Sequence, residues 1–332
     1  MASTRKSPSI DVPAPGLTAG LTAVLAACLQ CRVQAGERLV VGFSGGIDSV
    51  VLLHALATLR REGLSALHVH HGLSTNADRW TRFCADFAER LGVPFKCVSV
   101  AVERASADGL EAAARRARHQ AFADSEADWI VLAHHRDDQA ETLLFNLLRG
   151  TGIAGAAAMR ERSGRLLRPL LTVGRDEIER YAAEHRLDWI EDESNADIRH
   201  ARNFLRHRIL APLTQRFPAA VKNLAGATAR FAEAQDLLNA LARVDLGAVS
   251  DFPVPVSVLQ ALEEPRARNV LRYLLSRHAV PIPSEARLHE ALRQMLVAGI
   301  DRHPALQLGE HRLLRRRGLI YLEPPGPSTD SR

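Results

Sequence analysis

The chain has 332 residues, of which 46% are hydrophobic and 24% charged, the balance of a soluble globular protein of about two domains. No apolar run approaches the ~20 residues of a bilayer-spanning helix, and Cys28, Cys31, Cys84 and Cys97 are too few and scattered for a disulfide framework. The net charge of +5 permits nucleic-acid binding without requiring it.

The first sixteen residues are rich in Ser and Pro and lack the apolar core of a signal peptide, so a disordered tail on a cytoplasmic protein is expected. Leu17, Leu21, Val24, Leu25 and Cys28 then follow a helical spacing. Cys28 and Cys31 form a C-x-x-C pair, but Cys28 continues the apolar stripe and no second pair exists, which favours packing over a metal or redox role. From Glu37 to Trp129 short apolar runs alternate with longer amphipathic stretches. Strands are predicted at 39–43, 66–70, 95–102 and 129–134, and helices at 48–61, 78–91 and 110–125. This alternation predicts an α/β fold, a parallel sheet covered by helices on both faces with ligands at the carboxyl ends of its strands.

Ser44-Gly45-Gly46-Ile47-Asp48-Ser49 sits at such an end, between the first strand and the first of these helices. Adjacent glycines let the backbone approach an anion, and the new helix aims its unpaired N–H groups and dipole at the same spot. The loop lacks the Lys and spacing of the mononucleotide P-loop and is not G-x-G-x-x-G. Its two hydroxyls and one carboxylate suit a phosphate with Mg²⁺ beside it, Asp48 being the candidate metal ligand. An ordinary Ser-capped turn is the alternative.

His68, His70, His71 and Gly72 close the second strand, and His134 and His135 the fourth, on the same sheet edge as the loop; His70 and His134 are candidate nucleotide contacts. Asp137-Asp138-Gln139-Ala140-Glu141-Thr142 opens a further helix. Asp137 and Glu141, four apart, share a face and would repel each other unless a Mg²⁺ or a cationic substrate relieved them; simple N-terminal charge is the alternative. Asp138 is the second candidate metal ligand.

Residues 149–155 hold three glycines and read as a turn, 165–171 as a last short strand and 176–185 as a helix with a Gly-Arg-Asp start. A polar loop, Trp189 to Asn195, precedes a stretch with Arg199, Arg202, Arg206 and Arg208, where a helix would set Arg199, Arg202 and Arg206 on one side as a stripe for phosphates. The βα rhythm stops beyond Pro212. A long Ala-rich helical pattern over 217–241, two more helices around 266–277 and 285–297, and a β-like ending over 306–322 with Arg312, Arg315, Arg316 and Arg317 predict a mainly helical second domain. The expected division is 17–210 and 211–323, with a disordered tail from 324; no internal repeat is found.

The loop resembles the pyrophosphate-binding S-G-G-x-D-S of the N-type ATP pyrophosphatase superfamily. His68-Val69-His70-His71-Gly72-Leu73, Glu111 with Arg115 and Arg118, His134-His135-x-Asp137-Asp138-Gln139-Ala140-Glu141-Thr142, Arg149-Gly150-Thr151-Gly152, Arg168-Pro169-Leu170-Leu171 and Trp189 through Asn195 to Arg202-Asn203 stand in the order of the tRNA(Ile)-lysidine synthase family, over most of residues 39 to 210. Residues 251 to 322 are similar to that family's second domain. His119 departs from the pattern, which has Tyr there. The resemblance implies that ATP adenylates the 2-oxo group of the wobble cytidine in a CAU anticodon, and that free lysine then attacks carbon 2 and displaces AMP. It further implies Ser44 to Ser49 around the leaving pyrophosphate, Asp137 or Glu141 on the lysine ammonium and its proton, and Arg115 and Arg202 on the α-phosphate or the tRNA backbone. The basic stretches 199–208 and 312–317 become tRNA contacts, and a homodimer is left open. Longer family members carry a further C-terminal domain, and none is expected within these 332 residues. The rivals are a tRNA thiolase on the same loop, which needs reactive cysteines or an iron-sulfur cluster, an amidotransferase-type ATP pyrophosphatase, which needs a glutaminase Cys, and a non-catalytic tRNA-binding protein.

Overall fold

The computed structural model describes residues 19–60, 62–72, 74–102, 110–193, 197–298 and 302–324. The expected tails, apart from Pro324, and Leu73, Ser194, Asn195 and the Glu111 side chain lie outside what is described. The chain divides into two compact units, 1–232 and 233–332.

In the first unit α1 (Ala19–Arg32) leads into β1 (Leu39–Gly42), α2 (Ile47–Leu59), β2 (Leu64–His70), α3 (Ala77–Arg90), β3 (Phe95–Ser99), α4 (Leu110–Ala123), β4 (Trp129–Val131) and α5 (Arg136–Leu148). There follow α6 (Ile153–Ala156), a short hairpin of β5 (Arg162–Ser163) and β6 (Leu166–Leu167), α7 (Arg175–Glu184), α8 (Ala201–Phe204), a π-helical stretch (Leu205–Leu210), α9 (Ala211–Arg216) and the start of α10 (Ala220–Leu246). The sheet order is β3-β2-β1-β4-β6-β5, parallel except for β5. The chain runs outward from β1 through β2 to β3, then returns to β4 on the other side of β1. Such a reversal opens a crevice at the carboxyl ends of β1 and β4, where open α/β sheets take their ligands.

Strand periodicity explains the layering. Leu39, Val41, Leu64, Ala66, Trp129 and Val131 pack into a core with Leu21 and Leu25 of α1, Val50, Leu53 and Leu56 of α2, and Ile178 and Tyr181 of α7. The alternate residues Val40, Leu67, Val69, Ile130 and Leu132 face Ala121 and Phe122 of α4. Both sheet faces are thus covered, and α2 is buried on nearly every side from Val50 to Ala57, which fixes its first turn, with Asp48 and Ser49, over the sheet's edge.

The structure shortens several expected elements. Pairing in the fourth strand stops at Val131, because its neighbour β6 is two residues long and Pro169 brings no N–H to extend it. Arg199 precedes α8 and is bound to Asp197, and the π-helical stretch shifts the residues after Phe204, so the expected stripe of Arg199, Arg202 and Arg206 does not form. The division between the two compact units falls within α10. Buried Thr228 on that helix lies 3.4 Å from the Gln139 amide, tying its first half to the first unit.

In the second unit α10 continues into β7 (Val254–Pro255), α11 (Val256–Gln260), α12 (Glu264–Arg277), α13 (Glu285–Val297), β8 (Ala305–Leu308), β9 (His311–Arg316) and β10 (Leu319–Glu323). Its four strands form an antiparallel sheet, β7-β10-β9-β8, around a core that includes Leu271, Leu274, Leu292 and Ile320. Arg317 and Gly318 make the tight turn between β9 and β10, both with positive φ, 50° and 74°. Arg315 donates to the Met295 carbonyl at 2.7 Å near the end of α13, so Arg312 and Arg316 are the exposed cations of β9.

Candidate active site

The glycine loop follows β1 directly. Gly45 has φ +83°, and a side chain there would meet Ile190 Cδ1 at 2.6 Å and Cys84 Sγ at 3.0 Å. Glycine is therefore required twice over, by conformation and by space. Ile190 N–H donates to the Gly45 carbonyl at 2.9 Å, which ties the Trp189–Ile190 segment to the loop. Ser49 Oγ accepts from Gly45 N–H at 3.1 Å and donates to the Gly46 carbonyl at 2.9 Å. The N-cap of α2 is Gly46, which offers no side-chain oxygen to the first-turn amides, so those amides and the helix dipole stay available to an anion.

Across the crevice, α5 begins after β4. His135 is its N-cap, accepting from Asp137 N–H at Nδ1 (3.2 Å), while Asp138 Oδ2 accepts from His135 N–H at 3.0 Å. The sequence places acids in this first turn and the dipole stabilises them there. Asp48 Oδ1 and Asp138 Oδ2 each lie 3.6 Å from His135 Nε2, so the loop carboxylate and the α5 carboxylate converge on one nitrogen. Arg175, the first residue of α7, donates from Nη1 to both Asp48 oxygens at 2.9 and 3.0 Å, and its backbone N–H donates to Asp137 Oδ2 at 3.0 Å. Arg206 holds both oxygens of Glu141, Nε at 2.5 Å and Nη2 at 3.0 Å, and its Nη2 lies 3.5 Å from Asp138 Oδ1.

Four carboxylates thus stand against two guanidiniums and the His135 imidazole, and burial works against the charge of several of them. Burial pushes the Asp48 carboxyl above its ordinary range despite His135 and Arg175, and burial likewise raises Glu141 despite Arg206. At Asp137 burial acts upward too, but the nearby His135 and the Arg175 N–H outweigh it and hold that carboxyl low. Burial opposes the charge of His135, yet the surrounding Asp137, Asp138 and Asp48 outweigh it and raise its pKa.

A second cluster has the opposite sign. Burial pushes His134 down to about 4, with Asp138 pulling upward and Arg168, Arg115 and Arg118 reinforcing the drop. Burial also lowers His71, helped by Arg118, and lowers His119, helped by Arg115, Arg118 and Arg168. Arg168 is buried, donates to the Arg160 carbonyl at 3.0 Å, and leaves its Nε without a hydrogen-bond partner among the described residues. Three guanidiniums thus gather beside imidazoles held neutral, a setting that suits an anionic ligand.

A PP-loop domain matches residues 21–213 and a TilS substrate binding domain residues 255–321. The tRNA(Ile)-lysidine synthase of Aromatoleum aromaticum is 48% identical over 303 residues, 89% of this chain and 71% of that protein. Those of Nitrosomonas europaea and Alkalilimnicola ehrlichii are 41% and 45% identical, covering 89% and 86% of this chain and 67% and 66% of their own lengths. The chain belongs to the tRNA(Ile)-lysidine synthase family. It spans 66 to 71% of the length of these synthases. A solved U34-tRNA thiolase, NcsA from Methanococcus maripaludis with its [4Fe-4S] cluster, shares the fold at 16% identity and a TM-score of 0.54, covering 65% of this chain and 79% of that one.

The synthase motifs sort into distinct places. Asp48, Asp137, Asp138 and Glu141 come together, with His135 rather than His134 at their centre. His134 and Arg115 belong to the cationic cluster. His70 Nε2 lies 3.2 Å from Asp78 Oδ1, and His68 binds the Phe43 carbonyl through Nδ1 at 2.9 Å, a bond that fixes the strand end rather than a ligand. Arg202 lies half-buried on α8, and it is Arg206, one turn later, that reaches the carboxylates. Arg175 was not singled out from the sequence. A cation at the first position of a helix works against the dipole, and the Gly-Arg-Asp start of α7 carried that signal. Cys28 is packed in the core, Cys31 is exposed, and burial pushes the Cys28 thiol up to about 11, so the C-x-x-C pair has no activated thiol at Cys28.

Proposed function

We propose that this chain uses ATP to adenylate the 2-oxo group of the wobble cytidine in the CAU anticodon of isoleucine tRNA, and then joins free lysine to carbon 2 of that base. The observation that carries this reading is the convergence at one topological switch point of an uncapped glycine loop, a carboxylate cluster, and a separate cationic cluster. A phosphate donor, a cationic nucleophile and a polyanionic acceptor are the three reactants that such a site would sort.

In the first half-reaction the cytidine oxygen attacks the α-phosphorus and pyrophosphate leaves. The amides of the first turn of α2, with Ser44 and Ser49, whose hydroxyls accept the Gly46 and Gly45 N–H groups, stabilise the charge that develops on the leaving group. Asp48 and Asp138 are the residues that would hold Mg²⁺, as hard oxygen donors and with phosphate oxygens completing the shell, since among the described residues no group of three or more His, Cys, Asp or Glu side chains is set to hold a metal alone; Arg175 would release Asp48 for this. When bound, the ion neutralises charge on the departing phosphates. Arg115, with Arg118 and Arg168 near it, holds the α-phosphate or the tRNA backbone, and Arg202 is assigned the same class of ligand.

In the second half-reaction the lysine ε-amine attacks carbon 2 and the C2–O bond breaks, releasing AMP. Lysine arrives as an ammonium and must lose a proton. Asp137, held ionised by Arg175 and His135, suits the binding of that ammonium, and Glu141, whose pKa burial raises, suits the uptake of the proton. A homodimer is left open, and the compartment of the proposed reaction is the cytoplasm. Among the described residues no helix is long and apolar enough to cross a membrane.

Labelled lysine, ATP and Mg²⁺ with the CAU-anticodon isoleucine tRNA transcript test the proposal. Incorporation is expected with wild-type protein, with neither the methionine tRNA transcript nor Asp48→Ala supporting it. Pyrophosphate release that depends on tRNA without incorporation of lysine would keep the adenylating loop and overturn the choice of nucleophile.

A further inference from the structure

The carboxylate assigned above to the lysine proton already faces a cation. Glu141 is buried, its side chain 2% exposed, and both of its oxygens are bound by Arg206, whose own side chain is 40% exposed. The guanidinium therefore covers the carboxylate from the open side and reaches Asp138 as well. Arg206 lies in the π-helical stretch that follows α8 without a break, and the wider turn alters the direction of its side chain from that of an α-helical register. Such stretches carry a cost in regular helix geometry and are frequent at functional sites.

We propose that Arg206 is a specificity-determining residue of the lysine subsite: its guanidinium competes for Glu141, and the ε-ammonium of lysine binds by replacing it. The inference rests on the lysine reading above. Exchange of one cation for another leaves the buried carboxylate compensated throughout. A neutral side chain of similar length would instead strip Glu141 of its partner and leave a buried charge unpaired. Discrimination against uncharged amino acids then comes from a penalty built into the subsite as much as from attraction to lysine. The competitor also lowers the apparent affinity for lysine, because only the fraction of molecules with Arg206 displaced binds it.

The test is calorimetric titration of free lysine, and of norleucine as its neutral counterpart, into the full chain with the isoleucine tRNA transcript and a non-hydrolysable ATP analogue. Arg206→Gln is expected to bind lysine about tenfold tighter than wild type and to narrow the gap between lysine and norleucine. Arg206→Lys, which keeps the charge but loses the two-pronged grip, is expected to fall between them. Glu141→Gln is expected to weaken lysine about tenfold or more in either background. The proposal is overturned if Arg206→Gln binds lysine no tighter than wild type, or if Glu141→Gln leaves lysine affinity unchanged. If Arg206→Gln does not fold, Arg206→Lys decides, and affinity no greater than wild type overturns the proposal. Failure of the lysine reading itself looks different: no lysine binding to any variant and no incorporation, with tRNA-dependent pyrophosphate release intact, which removes both.

Discussion

The carboxylate cluster at the start of α5 and the arginine cluster around Arg168 meet at Asp138 and His134, whose charges act on each other, but they balance charge in different ways. In the acidic half Asp48 and Asp137 have Arg175 as donor, and Glu141 has Arg206, each at hydrogen-bond distance. In the cationic half the guanidiniums bear on one another, the imidazoles are driven neutral, and the Arg168 Nε makes no hydrogen bond among the described residues. A cationic ligand of the first half therefore enters by displacing protein cations. An anionic ligand of the second meets several guanidiniums at once, and its binding responds more strongly to salt.

The largest effect should come from breaking the acidic half where it meets the loop. Asp48→Asn is expected to reduce tRNA-dependent pyrophosphate release about a thousandfold, the size of losing a principal stabiliser of transition-state charge, while filter binding shows tRNA affinity unchanged. Next is the ion pair itself. Arg206→Ala leaves Glu141 buried without a partner and should cost about 3 kcal/mol in urea denaturation, the low end for a broken buried pair because Arg206 is partly exposed. Pairing it with Glu141→Gln should recover much of that loss. In the cationic half Arg115→Ala should weaken tRNA binding about tenfold and reduce its salt slope by about one, with little change in folding stability. An unchanged slope would move Arg115 away from phosphate.

The smallest effect concerns pH. His135 has its pKa raised in the folded chain by the carboxylates around it, so its stabilising contribution is complete below the ordinary value of 6.5 and is lost as pH rises through the raised value. In urea denaturation wild type should be more stable than His135→Gln at pH 6 by about 1 kcal/mol or less, and the gap should shrink by pH 8 to 9. A gap that stays constant would show that packing, not charge, accounts for it.

Some of this site was legible from local pattern. The glycines and Ser of the loop stood between an apolar run and a helix, and Asp137, Asp138 and Glu141 fell in the first turns of a helix whose periodicity was plain. The balancing cations were not legible in the same way. Arg206 lay in a stretch noted for its arginines, but a helical wheel at 3.6 residues per turn grouped it with Arg199 and Arg202, and the π-helical stretch breaks that wheel. His134 and His135 were adjacent and indistinguishable by pattern, yet one serves as the cap among the carboxylates and the other is held neutral among arginines.

The sequence by itself determined the order of strands and helices, the loop that needs glycine, the acids at the start of α5 and the family, because each of these depends on residue type at short spacing. Only the tertiary structure decided that Arg175 joins Asp48 to Asp137, that Arg206 covers Glu141, and that opposite charges divide between two halves of one crevice. Those contacts link residues more than sixty positions apart in most cases, 127 for Asp48 with Arg175 and 65 for Glu141 with Arg206. No local rule relates such residues; the reversal of strand order between β1 and β4 brings their elements to one edge, and burial there makes each charge depend on its partner.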